Sequence, residues 1–272
     1  MAPPAPGTRP LLLAPAGSLP AVDAALSSGA DAVYVGVRSL SRGGRTGLPP
    51  GEVGGAVAAC RRAGARLHVA VNAVPTAGAV PPFLAAIGRL RDEGVAEVIL
   101  NDPGVIAMVR KEFPALSICA SVGLSAMNPE DALAYRELGA DAIVLPSAVL
   151  PEELPSIKKA SGLRVEVFAW CRAEFLLHGK CGLAGYAVEG PGGALVSPKR
   201  GGSCHLVCRG LPVSREPHSL EEELSRWVVA GADAFKIEGR DLSPAAVTLL
   251  VGRFRRKLDS ALSGSGGGEN RL

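Results

Sequence analysis

Four of the six cysteines, Cys171, Cys181, Cys204 and Cys208, fall within 38 consecutive residues. Thiolates that converge are soft donors, the usual ligands of an iron–sulfur cluster or a structural zinc, and ill suited to calcium or magnesium. The stretches between them are nine, 22 and three residues long. Zinc ribbons pair two short C-x-x-C knuckles, which neither half supplies, so the spacing argues for iron–sulfur. His178 and His205 lie inside the segment and keep a mixed Cys/His zinc site open. The other two cysteines, Cys60 in an Ala-rich helical run and Cys119 in a strand pattern, read as small apolar packing residues.

Between Cys171 and roughly Ser219 the periodicity is weak and breakers are frequent, including Gly190-Pro191-Gly192-Gly193 and Gly201-Gly202. A long structureless stretch inside a compact domain needs a reason. Ligation supplies one, because it replaces the core the segment lacks.

The rest of the chain must position these thiols. The tetrapeptide Gly-Ala-Asp-Ala recurs at Gly29–Ala32, Gly139–Ala142 and Gly231–Ala234, each time after a helical pattern and before a β-branched or aromatic run. Glycine closes a helix in the left-handed conformation and the following residues lead into a strand. Strands are expected near Leu11–Ala14, Ala32–Val37, Leu67–Asn72, Glu97–Asn101, Ser117–Val122, Ala142–Leu145, Arg164–Ala169 and Ala234–Glu238. Helices are expected from Ser18 to Ser27, and at Gly51–Ala63, Pro81–Glu93, Pro129–Leu138, Pro151–Lys159, Leu220–Ala230 and Pro244–Leu262. Short apolar strands without a period of two, alternating with helices, predict a parallel sheet covered on both sides. The count predicts a (β/α)8 TIM-like barrel over residues 11–262, with the irregular cysteine-bearing insertion after strand 7. Residues 1–10 read as a disordered leader and 263–272 as a flexible Gly/Ser tail. An open doubly wound sheet competes, but no Gly-x-Gly-x-x-Gly follows the first strand.

Composition agrees. Hydrophobic residues make up 47% and aromatics only 4%, so Val, Leu, Ile and Ala must fill the core. A formal charge of +3 is too balanced to imply nucleic-acid binding. No stretch has the length of a membrane span and the first residues lack a signal-peptide pattern. The chain therefore reads as cytoplasmic, where thiols stay reduced and clustered cysteines bind metal in preference to forming disulfides.

A barrel places its chemistry at the C-terminal ends of its strands. The polar residues expected there are Asn72, Asn101, Asp102, Ser121, Ser125, Ser147, Glu166 with Trp170 and Cys171, and Lys236 through Arg240.

The motifs come in a recognisable order: L-L-A-P-A-G-S-L from Leu12, G-A-D-A-V-Y-V-G from Gly29, V-N-A at Val71, N-D-P-G-V at Asn101, A-S-V-G-L-S at Ala120, V-E-V-F-A at Val165 and K-I-E-G-R at Lys236. In this the chain resembles the collagenase-like peptidases of unassigned catalytic type, the U-32 peptidase family, from about Leu11 to Leu262. The resemblance implies oxygen-independent hydroxylation in preference to proteolysis. Family members carry a [4Fe–4S] cluster on four cysteines; one branch acts on RNA bases and another on ubiquinone precursors. The C-x-x-x-C pair, and a chain ending soon after K-I-E-G-R, resemble the short quinone-biosynthesis subunits.

Carried over by the resemblance, Cys181, Cys204 and Cys208 match three ligand positions. The family pattern has its further cysteine where this chain has Glu174, and Cys171, offset by three residues, is the nearest candidate for the fourth, with a plain packing role as its alternative. The resemblance also implies prephenate as hydroxyl donor, and as partners a paralogous barrel subunit and a lipid-carrier protein, while the balanced charge argues against nucleic acid. Arg209 and Arg240 would pair the donor's carboxylates. Asn72 and Ser121 would line the substrate site, and Glu238 and Asp102 would be the catalytic carboxylates. Against this, Glu238 could simply pair with Lys236 or Arg240. Other readings are a noncatalytic electron-relay subunit and a peptidase, though no nucleophile–base arrangement and no H-E-x-x-H is recognisable.

Overall fold

The three Gly-Ala-Asp-Ala repeats build one corner three times. Gly29, Gly139 and Gly231 end their helices at φ of 89°, 106° and 93°, a region that disfavours any side chain. The aspartate two residues on then ties the corner to the preceding strand. Asp31 Oδ2 accepts from the Leu12 amide at 2.8 Å, Asp141 Oδ2 from Ile118 at 2.9 Å, and Asp233 Oδ2 from Val165 at 2.7 Å. The same oxygen meets a helix cation each time: Arg255 at 2.9 Å, Arg110 at 2.5 Å and Lys158 at 2.7 Å. The repeat is thus a charge-assisted clasp between a strand's first residues and the helical layer.

The structure is a computed structural model that describes residues 9–41, 47–172, 186–189, 195–196 and 217–264. Eight strands form its centre: β1 Leu11–Ala16, β2 Ala32–Gly36, β3 Arg66–Val71, β4 Glu97–Leu100, β5 Ser117–Ala120, β6 Ala142–Val144, β7 Arg164–Cys171 and β8 Ala234–Ile237. Each pairs in parallel with the next, and β8 pairs with β1 through Leu13↔Lys236, so the sheet closes. The helices are α1 Leu19–Ser27, α2 Val53–Arg62, α3 Val80–Glu93, α4 Pro103–Glu112, α5 Pro129–Glu137, α6 Leu154–Ser161, α7 Leu224–Ala230 and α8 Pro244–Gly264. The (β/α)8 expectation holds, and Ser18 caps α1 by accepting from the Ala21 amide at 3.3 Å.

Helix α4 is the element the sequence reading lacks. Its start, Asn101-Asp102-Pro103-Gly104, carries turn residues, yet Asp102 is an N-cap that accepts from the Val105 amide at 3.1 Å. Pro103 stands at the first helical position, where its missing N–H costs nothing.

The main core lies between strands and helices around Phe83, Ile106, Phe235 and Phe254, while a second cluster inside the barrel includes Leu13, Tyr34, Ile99, Cys119, Phe168 and Cys171. Cys60 and Cys119 are buried as the packing residues expected of them. Burial pushes the Cys60 thiol up to about 11, and raises that of Cys119 well above its ordinary value.

Candidate functional site

Charged residues thread the barrel interior. Glu166 and Lys236, which the sequence places on the rim, instead face each other inside, Oε2 to Nζ at 3.0 Å, with 1% and 4% of their surfaces exposed. The Lys236 ammonium also lies 4.8 Å from the Tyr34 ring centroid. Burial alone would lower the lysine's pKa, but Glu166 and its other neighbours raise it overall. The amine therefore stays protonated, which suits a strut and not a nucleophile. Tyr34 donates to the Ile237 carbonyl at 3.1 Å, and burial pushes its phenol up to about 12.

Toward the N-terminal ends of the strands, Glu97 accepts from Ser117 Oγ at 2.8 Å and pairs with Arg164. His68 Nδ1 lies 3.1 Å from the other Glu97 oxygen. Burial pushes this carboxyl up, but His68 and Arg164 pull it further down, well below the usual carboxylate range. Sequence reasoning missed His68 and Glu97. The available signal was a charged residue inside an otherwise apolar strand: unless paired, such a group is excluded from a core.

The opposite, C-terminal mouth holds the other expected residues. Cys171 ends β7 and is 2% exposed. The amide of Arg172, the next residue, donates to Glu238 Oε2 at 2.7 Å, while its guanidinium meets Asp241 at 2.8 Å. Glu238 therefore pairs with neither Lys236 nor Arg240 as its main contact; it clamps the start of the cysteine segment to the end of β8. Where the chain returns, His218 and Ser219 pair antiparallel with Cys171 and Trp170. The excursion thus leaves and re-enters at one point. Within it, strand Tyr186–Glu189 pairs through Tyr186 and Ala187 with Val74 and Pro75, just after Asn72. Since β3 and β7 lie four strands apart in a ring of eight, this contact is on the far side of the mouth from the excursion's anchor. Cys181, Cys204, Cys208, Arg209, His178 and His205 lie outside the described residues.

Three polar groups at the mouth are buried without a hydrogen-bond partner among the described residues: both amide atoms of Asn101, Ser125 Oγ and Arg240 Nη1. Asn101 is only 2% exposed. It lies so close to Gly123 that a Cβ there would sit 2.3 Å from its Oδ1, and a Cβ on Gly36 would sit 2.5 Å from Arg240 Nη1. Ser125 holds a left-handed φ of 55°, uncommon for a residue with a side chain. Buried orphans and backbone strain cluster at functional sites. Ser121 is buried beside them and Asn72 is half-buried, whereas Asp102 spends an oxygen on its helix cap.

The fold and this mouth define a (β/α)8 barrel in which both ends of the long segment after β7 are anchored at the C-terminal mouth. The family model for peptidase family U32 matches residues 17–270, and the chain belongs to that family. It is 26% identical to tRNA hydroxylation protein P1 of Bacillus subtilis over 93% of its own length and 64% of that protein's. It is also 26% identical to the 23S rRNA 5-hydroxycytidine C2501 synthase of Escherichia coli, over 94% of this chain and 40% of that one. The chain thus spans less than two thirds of the length of these relatives. Among solved structures, the U32 peptidase Mk0906 superposes with a TM-score of 0.58 at 17% identity, covering 86% of this chain and 94% of that one, which supports the fold.

Proposed function

We propose that this chain is the barrel of an oxygen-independent hydroxylation protein acting on an RNA base. The observation that carries the reading is the match over 93% of the chain to a tRNA hydroxylation protein. An rRNA hydroxycytidine synthase matches as widely, and both favour RNA over the quinone precursor expected from the sequence.

The mouth suits such a substrate. A carboxamide that both donates and accepts can read the edge of a base, and Asn101 offers one with neither atom spent among the described residues. Arg240, with Arg209, would pair the carboxylates of an acidic hydroxyl donor of the prephenate type. Glu238 positions the backbone at Arg172 and, through it, the adjoining Cys171. The donor set fits an iron–sulfur centre: Cys171, at the mouth, with Cys181, Cys204 and Cys208, would hold it. Bound there, a [4Fe–4S] cluster would supply one-electron transfer.

The test is anaerobic expression in a bacterial host lacking its own RNA hydroxylation proteins and defective in quinone hydroxylation, with mass spectrometry of tRNA and rRNA nucleosides and of quinones. Hydroxylated nucleosides should return with the native chain. Asn101→Ala should lower their yield roughly tenfold, the size of one lost hydrogen-bonding contact. Unchanged RNA with restored quinone would contradict the reading.

A further inference from the structure

We propose that His68, Glu97 and Glu166 form a divalent-metal site inside the barrel, separate from the cysteines, taking a first-row transition ion such as Mn²⁺. One ligand atom from each residue lies within 4.8 Å of the others, and all three side chains are buried. Glu166 Oε1 has no hydrogen-bond partner among the described residues, and beside it His68 Nδ1 and Glu97 Oε1 face each other at 3.1 Å. An unpartnered carboxylate oxygen in a dry interior, gathered with an imidazole nitrogen and a second carboxylate, is costly unless something binds them together.

The remaining carboxylate oxygens are held from behind. Ser117 and Arg164 hold Glu97 Oε2, and Lys236 holds Glu166 Oε2 at 3.0 Å. Outer partners that fix one oxygen and leave the other aimed inward are how proteins orient metal ligands. A cavity of about 620 Å³ at the N-terminal end of the barrel reaches His68 and Glu97 and offers a way in.

Arg164 and Lys236 already balance the two carboxylates, so the ion depends on the imidazole as much as on charge. One imidazole and two carboxylates suit manganese, iron or zinc better than calcium. The three ligands come from β3, β4 and β7, so the ion would pin these strands from within. Its place in the N-terminal half of the barrel gives it a structural part, and the inference stands whether or not the protein acts on RNA.

The test is titration of Mn²⁺ alone into the anaerobically purified full chain, followed by electron paramagnetic resonance. Manganese is chosen because thiolates serve it poorly, so the cysteines compete little. The expected result is loss of the free-ion signal at about one equivalent, with pulsed spectra showing nitrogen coupling from one imidazole. His68→Gln should abolish that coupling, and Ser117→Ala, which touches Glu97 only from behind, should weaken binding about tenfold. An undiminished free-ion signal, as a trapped water in the site would give, overturns the proposal. So does bound manganese without nitrogen coupling, a result readable in the native protein even if the variants fail to fold.

Discussion

The two ends of this barrel treat polar groups in opposite ways. At the N-terminal end the aspartates of the repeated corners each take a strand amide and a helix cation, as Asp233 does with Val165 and Lys158. At the C-terminal end Asn101, Ser125 and Arg240 keep buried atoms without partners among the described residues. The first end spends its polar groups on holding the fold; the second leaves them unspent among the described residues. This is the division expected of a (β/α)8 enzyme, with stability at the bottom and chemistry at the top. Arg255 Nε and Trp227 Nε1 depart from this division, and so does the interior trio of His68, Glu97 and Glu166, which alone gathers metal-ligand atoms at one point among the described residues.

Changes on the fold-holding side should cost stability. The largest effect belongs to Glu166→Ala, which leaves the Lys236 ammonium buried and unpaired. Urea unfolding should register a loss of about 3–5 kcal/mol; a loss below 1 kcal/mol would mean the interior pair is not what braces the strands. Asp233→Ala comes next at about 2 kcal/mol, since it strips the Val165 amide and half-buried Lys158 of their shared acceptor. The RNA hydroxylation proposed for the chain should be unchanged per folded molecule.

Tyr34 gives a pH-dependent comparison. Its phenol lies at about 12 in the fold against an ordinary 10.0. Its contribution is thus fully present below pH 10 and is lost as pH rises through the folded value. At about pH 11 the difference is about 1.4 kcal/mol. Denaturant midpoints should fall less steeply above pH 10 in Tyr34→Phe than in the native protein; parallel curves would contradict the buried phenol. The smallest change in stability belongs to the other end. Asn101→Ala removes no hydrogen bond seen among the described residues, so its unfolding free energy should stay within about 0.5 kcal/mol of native.

The barrel was largely legible in the sequence because its corners repeat a local device, glycine to end a helix and aspartate to grip the preceding strand. Helix α4 escaped because Asn-Asp-Pro-Gly serves a turn and a helix start equally well. The mouth was legible only as positions at strand ends. That Glu238 would clamp Arg172, or that Glu166 and Lys236 would turn inward, depends on side-chain direction in a closed sheet, which a single chain of letters does not carry. His68 and Glu97 escaped for the same reason, since what brings them together with Glu166 is the closure of strands distant in sequence. The cysteine cluster declared itself by spacing, yet of its four thiols only Cys171 falls among the described residues, at the mouth the barrel would predict.

The most direct test of the account compares one variant from each end. Native protein, Asn101→Ala and Asp233→Ala are expressed in the RNA-hydroxylation-deficient host, and hydroxylated nucleosides are measured per folded molecule. The account predicts native yield from Asp233→Ala despite its lower stability, and a roughly tenfold loss from Asn101→Ala at native stability. Full hydroxylation by Asn101→Ala, or none by the native chain, would contradict it.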